Sequence, residues 1–157
     1  MPPPLLVNLQ GIDLNTLEVS PEEIRRVNPH RFEMEQLDGV IKFAPEQGYA
    51  IGVKNVTDEE FWIRGHIPGR PLMPGVLMLE AAAQLCTYYY KRVTSDARFL
   101  GFGGLDKVKF RGTVLPGSRL IILVRNRELR NVRAVFDTQG LVDGRMVFEA
   151  MVTGLVV

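Results

Sequence analysis

One stretch, GHIPGRPLMPGVLMLEAAAQLCTYYYKR at residues 65–92, decides the fold of this 157-residue chain. Its first ten residues are rich in glycine and proline, which disfavour regular structure and predict a loop. From residue 74 onward, a proline suited to the first helical turn is followed by apolar residues on every side of the helix. We therefore predict a loop that leads into a helix at residues 74–92, and we expect this helix to be buried.

Runs of alternating and β-branched residues on both sides of the helix predict about six strands. Two of them form a hairpin around the turn at residues 45–48. The strand-like runs lie at residues 37–43, 49–56, 98–110, 120–129, 132–138 and 146–156. About six strands around one buried helix make an α+β domain.

The chain has room for a single domain. Residues 1–15, with three consecutive prolines, are expected to be a flexible segment, and residues 16–157 the domain itself. A short helix should start at Ser20, with Pro21 in its first position and Glu23 closing a capping box, and should end near residues 28–29.

The composition, 46% hydrophobic and 24% charged, is that of an ordinary globular protein. The start of the chain has no pattern of a secretion signal, and no apolar run is long enough to span a bilayer. A cytoplasmic protein is expected, without a metal site, a cofactor or a nucleic-acid partner.

The single cysteine, Cys86, cannot form an intramolecular disulfide and is predicted to be a buried thiol without a chemical role.

Charge is unevenly distributed along the chain. Residues 1–60 carry a net charge of −6, whereas residues 91–133 carry +8. This basic stretch could attract an acidic partner, or it could be an ordinary solvated strand face.

Three residues near the start of the helix are candidates for chemistry. Glu80 places a carboxylate among core residues, where burial of a charge is costly. Three explanations are open: a structural hydrogen bond to Gln84, a position on an exposed edge of the helix, or a functional role. His66 is either a surface group or a general base. Gly75 lies where helical N–H groups lack acceptors, so it could bind an oxyanion or simply allow close packing. For the second histidine, His30, a role in a turn or at a helix end is predicted.

The residues GHIPGRPLMPGVL at 65–77, followed by EAAAQ at 80–84, closely resemble the signature of the FabZ-like 3-hydroxyacyl-acyl-carrier-protein dehydratases. Four flanking blocks fit the same family in the same order. They are PHRF at 29–32, KNVT at 54–57, DKVKF at 106–110 and VLPG at 114–117. The resemblance implies the hotdog fold, an antiparallel sheet wrapped around one long helix.

The resemblance also implies a reaction and an assembly. It implies dehydration of (3R)-3-hydroxyacyl-carrier-protein thioesters by a homodimer, which could assemble into a trimer of dimers, with both active sites at the interface. His66 would take the proton from C2, and Glu80 of the other subunit would help the C3 hydroxyl to leave. The Gly75 N–H would bind the thioester carbonyl, and Gln84 would orient Glu80.

Further residues are assigned by the same resemblance. The acyl-carrier protein of this family is acidic, and Lys109 and Arg111 are the first candidates to bind it. The candidates for the acyl tunnel, which could equally be plain core residues, are Leu72, Met73, Val76 and Phe102.

One departure from the family is EMEQ at residues 33–36, where a mostly apolar strand is usual. It leaves the substrate range open and motivates one alternative, a non-catalytic module that binds acyl-carrier protein. A hotdog acyl-thioesterase is another alternative, although that class lacks the signature. A dehydratase that also isomerises the double bond ranks lower, because such enzymes generally have aspartate in place of Glu80.

Overall fold

The computed structural model describes all 157 residues and contains six antiparallel strands in one sheet, in the order β1-β2-β4-β5-β6-β3. The helices are α1 (Pro21–Arg25) and α2 (Gly75–Thr94), and the strands are β1 (Gly39–Ala44), β2 (Tyr49–Asn55), β3 (Leu100–Phe110), β4 (Arg119–Leu129), β5 (Arg133–Val142) and β6 (Arg145–Val156). The prediction of six strands around one long helix is confirmed. Short 3-10 turns at Phe32–Met34 and Pro45–Gln47 complete the elements.

Helix α2 packs against one face of the sheet and is buried there, as its apolar sequence predicts. Ala81, Ala82 and Leu85 have no exposed surface, and the small alanines let the helix approach the strands closely. Burial of each large apolar side chain in this layer stabilises the fold by about 2 kcal/mol. The first turn differs from the prediction of burial on all sides, because Val76 is 69% exposed.

The N-terminal segment lies across the opposite face of the sheet. Leu6 donates its N–H to Gln139 Oε1 at 2.9 Å and accepts a hydrogen bond from Arg125 Nε at 2.9 Å. Val7 is buried in a second apolar cluster, whose strand residues include Ile41, Ile51, Val53, Ile121 and Leu123. The flexibility expected for residues 1–15 stays a prediction. Movement of this segment away from the sheet would break the contacts of Leu6 and Val7.

The chain between α1 and β1 folds as a compact connection over α2. Ser20 and Glu23 form the predicted capping box, although α1 ends at Arg25, earlier than predicted. The Arg31 guanidinium then donates hydrogen bonds to the carbonyls of Arg25, Asn28 and His30. These bonds fold the turn that follows α1 and fix the direction in which it leaves the helix.

Strand β3 forms one edge of the sheet and pairs only with β6. It is the most exposed strand, and it presents three large apolar side chains to solvent: Phe102 at 48%, Leu105 at 40% and Phe110 at 50% exposure. Long edge strands with apolar side chains are surfaces on which another strand can pair.

None of the helices combines the length and the apolar character that a bilayer crossing requires.

Candidate active site

The loop before α2 holds His66 in a defined orientation. Buried Trp62 and Met73 anchor the two ends of the loop in the core, and Gly69 makes the turn between them with a φ of +78°. The His66 Nδ1 atom lies 2.8 Å from the Leu72 carbonyl oxygen. Because a carbonyl only accepts, Nδ1 must carry the proton in this contact. The neutral ring is therefore the Nδ1–H tautomer, which leaves Nε2 free as a base.

Glu80 lies in the second turn of α2, and Gln84 holds one of its oxygens. Gln84 Nε2 donates to Glu80 Oε1 at 2.9 Å and to the Met34 carbonyl at 2.6 Å, while Gln84 Oε1 accepts the Gln36 N–H at 2.9 Å. These bonds leave the amide a single orientation. The other carboxylate oxygen, Oε2, accepts no hydrogen bond from the chain. The EMEQ segment thus supplies the backbone groups that lock Gln84.

A largely apolar cavity of about 230 Å³ opens beside Glu80, between α2 and the ends of β3 and β6. Its lining includes Ala83, Cys86, Phe102 and Val152. Cys86 is fully enclosed, and burial raises the pKa of its thiol well above its usual range, so the thiol stays protonated. The cavity can accept an apolar chain whose polar end lies at Glu80.

His30 lines the same cavity, and sequence reasoning missed this. Asn28 Nδ2 donates to the Gln84 carbonyl at 2.9 Å and so ties the turn after α1 to α2. This places His30 Nε2 at 3.7 Å from Glu80 Oε1, with the ring edge-on to Phe99. The predicted role in a turn or at a helix end did not anticipate this contact of the His30 side chain, and the backbone of His30 lies beyond the turn that follows α1. No local signal could have revealed it, because the contact spans fifty residues.

The remaining substrate-binding candidates are dispersed. Phe102 lines the cavity, whereas Met73 is a buried core residue, Leu72 is half-buried and Val76 is exposed, and none of these three reaches the cavity. Gly75 is the first residue of α2, so its N–H lacks an intrahelical acceptor as predicted. A Cβ on Gly75 would lie 2.7 Å from the Phe110 ring, so close packing also requires glycine there.

The two carrier-binding candidates lie at the end of β3 and just beyond it. Lys109 is exposed and has no carboxylate partner, whereas the Arg111 guanidinium forms an ion pair with Glu149 on β6. Elsewhere in the basic stretch, Arg127 pairs with Asp137, and Arg130 and Arg133 share Glu128. Part of the positive charge counted in the sequence is therefore paired locally, with Glu149 and Asp137 as the partners from outside the basic stretch.

Within one chain, the two candidate catalytic residues do not meet. His66 is exposed on its loop, makes its one side-chain hydrogen bond to Leu72 and does not line the cavity of Glu80. A single chain thus presents the candidate base His66 at one place and the candidate acid Glu80, beside its cavity, at another.

Comparison with known proteins places this chain in a family. The FabA-like domain model matches residues 28–151. A 3-hydroxyacyl-acyl-carrier-protein dehydratase FabZ of Clostridium botulinum (strain Okra / Type B1) is 38% identical over 133 residues, which cover 82% of this chain and 89% of the relative.

Two solved structures share the fold at lower identity. The dehydratase heterocomplex ApeI:P from Xenorhabdus doucetiae matches with a TM-score of 0.72 and 17% identity, over 85% of this chain and 90% of that one. A hypothetical thioesterase protein with coenzyme A from Streptococcus pneumoniae matches with a TM-score of 0.63 and 12% identity, over 87% and 95%. The predicted hotdog fold is confirmed, and the chain belongs to the FabA-like domain family, with FabZ dehydratases among its relatives.

Proposed function

We propose that this protein removes water from (3R)-3-hydroxyacyl-acyl-carrier-protein thioesters and forms trans-2-enoyl thioesters for fatty acid biosynthesis. The observation that carries the proposal is the Glu80 carboxyl group beside an apolar cavity, with Oε1 held by Gln84 and Oε2 free of hydrogen bonds. A free carboxyl oxygen in such a place can give a proton to a leaving hydroxyl while the acyl chain occupies the cavity. The dehydratase relatives support the same reaction.

His66 acts as the base. Its Nδ1–H is committed to the Leu72 carbonyl, so Nε2 can take the proton from C2 of the substrate. As that proton leaves, negative charge builds on the thioester carbonyl oxygen. The Gly75 N–H at the start of α2, aided by the positive end of the helix dipole, stabilises this charge. The C3 hydroxyl then departs as water with the proton from Glu80. The enzyme is restored when His66 gives up the C2 proton and Glu80 takes up a proton again.

The complete site requires a homodimer that pairs through β3. Within one chain, Gly75 and the end of the His66 loop lie against Phe110, at one end of the edge strand, while the cavity includes Phe102 at the other end. Antiparallel pairing of two β3 edges places the Phe110 end of one strand beside the Phe102 end of the other. This arrangement brings the partner's His66 toward Glu80 and covers the exposed apolar side chains of the edge.

The substrate arrives on an acidic carrier protein. Lys109 carries an uncompensated charge next to the interface, and Arg111 keeps donor groups beyond those it gives to Glu149. Both can therefore bind acidic side chains of the carrier at the entrance of the site. We place the enzyme in the cytoplasm, where its single, buried cysteine would remain a free thiol.

Mass spectrometry of a 3-hydroxyacyl-acyl-carrier protein incubated with the purified protein tests the proposal. The expected result is loss of water at a rate that falls at least about a hundredfold in His66→Ala. Arg64→Ala, an exposed change two residues away, is the control and should keep the rate. Release of free acid would indicate a thioesterase instead, and binding without turnover would indicate a carrier-binding module.

A further inference from the structure

A third polar side chain lies within reach of Glu80. His30 Nε2 is 3.7 Å from Glu80 Oε1, and the two side chains are only 16% and 21% exposed. The separation exceeds a hydrogen bond by about 0.7 Å. Hydrogen bonds in active sites are often long before the substrate binds and shorten in the substrate complex. His30 and Gln84 thus converge on the same carboxylate oxygen from two sides.

The other ring nitrogen of His30 determines which tautomer the protein favours. His30 Nδ1 is buried and has no hydrogen-bond partner. A buried N–H without an acceptor is tolerated less well in proteins than a buried acceptor atom without a donor. Nδ1 is therefore the bare nitrogen, and the proton of the neutral ring lies on Nε2, directed at Glu80.

We propose that His30 is a positioning residue, whose neutral imidazole donates its Nε2–H to Glu80 Oε1 and reserves Oε2 for the proton of the reaction. This inference rests on the proposed function, since it assigns a role within the same site. An oxygen that accepts N–H donors from both Gln84 and His30 is a poor place for a carboxyl proton. The acid proton then resides on Oε2, which is the oxygen free to meet the leaving hydroxyl.

The alternative arrangement, in which Glu80 donates a hydrogen bond to His30 Nε2, conflicts with two features of the site. It needs a proton on Oε1, where the Gln84 N–H is already donated at 2.9 Å. It also moves the ring proton to Nδ1, where no acceptor lies within hydrogen-bond range. The first change would leave the proton on Oε1 facing the Gln84 N–H, and the second would leave the Nδ1–H without an acceptor.

Two variants of His30 separate hydrogen bonding from packing. His30→Gln keeps an N–H donor without a titratable ring, and His30→Phe keeps the aromatic contact with Phe99 without the donor. We expect His30→Gln to stay within about threefold of the wild-type kcat and His30→Phe to lose at least about tenfold, with KM little changed in either. Equal kcat values in the two variants, or a His30→Phe enzyme as fast as wild type, would overturn the proposal.

Nitrogen NMR of histidine-labelled protein tests the tautomer without an activity assay. The chain has two histidines, and a His66→Ala sample assigns their signals. At pH 7.5 we expect opposite neutral tautomers, Nε2–H for His30 and Nδ1–H for His66. An Nδ1–H signal from His30 would contradict this inference alone, whereas wild-type protein without dehydratase activity would refute the proposed function and leave the tautomer result intact.

Discussion

Gln84 Nε2 donates a hydrogen bond to Glu80 Oε1 across one turn of α2, at 2.9 Å. The same amide is bound on its other side by the backbone of residues 34 and 36, which come from the segment that departs from the family pattern. The EMEQ segment therefore fixes Gln84 through its backbone, without using its own side chains.

Replacement of Gln84 by methionine should damage catalysis and stability together. The Met34 carbonyl and the Gln36 N–H lose their buried partner, which costs about 1–3 kcal/mol, and Glu80 loses a donor. We expect kcat to fall about tenfold or more at a temperature where the variant is fully folded. Gln36→Met is the matched control, because only the backbone of Gln36 contacts Gln84, and its kcat should stay near wild type. Equal kcat in the two variants would contradict the role of Gln84.

A larger side chain in the cavity should shorten the acyl chains that the enzyme accepts. Ala83 lines the cavity of about 230 Å³ on the α2 side. Leucine at this position occupies space that a long chain needs. We expect kcat/KM of Ala83→Leu to fall about tenfold or more for a twelve-carbon substrate and less than about threefold for a four-carbon substrate. An equal loss for both lengths would mean that this cavity does not hold the acyl chain.

Gly140 is required by packing within the sheet. It pairs with Phe148 across β5 and β6, and a Cβ at this position would overlap the Phe148 ring and lie 3.1 Å from Leu120. Both neighbours are fully buried, so Gly140→Ala should lower the free energy of unfolding by about 1–3 kcal/mol. Gly65→Ala, where no atom lies within 4 Å of the added methyl group, is the control. Urea unfolding compares the two, and an unchanged Gly140→Ala protein would contradict this packing.

His30 should make stability depend on pH. Burial lowers its pKa below the ordinary 6.5, Arg31 acts in the same direction, and Glu80 and Glu35 oppose it. The folded protein then binds this proton more weakly than the unfolded chain. The contribution of neutral His30 is present above pH 6.5 and is lost as the pH falls through the lowered folded pKa. Between pH 7.5 and 5, wild type should lose more free energy of unfolding than His30→Gln, and an equal loss in both would contradict the assignment.

The parts of the fold that local sequence governs were predictable. The capping box at Ser20 and Glu23 is set by residues three apart, and the loop and helix of residues 65–94 follow from proline, glycine and a continuous apolar run. Both features depend on backbone preferences and on hydrophobic periodicity within one element. The six strands were found for the same reason, with end points that differ by a few residues.

The contacts that sequence reasoning could not reach span distant parts of the chain. His30 meets Glu80 because Asn28 binds the α2 backbone fifty-six residues away. Arg111 is neutralised by Glu149 because of the register between β3 and β6. Neither contact is encoded in a local pattern. The family resemblance could therefore supply His66, Glu80 and Gln84, but neither the approach of His30 to Glu80 nor the ion pair of Arg111.

The central claim is that one subunit supplies His66 and the other supplies Glu80. Co-expression of His66→Ala and Glu80→Gln, each inactive alone, tests it directly by the rate of dehydration of a 3-hydroxyacyl-acyl-carrier protein. Random pairing gives mixed dimers with one intact site, so roughly a quarter of the wild-type activity per subunit should return. A mixture that remains as inactive as the separate variants, although mixed dimers are shown to form, would contradict the shared site.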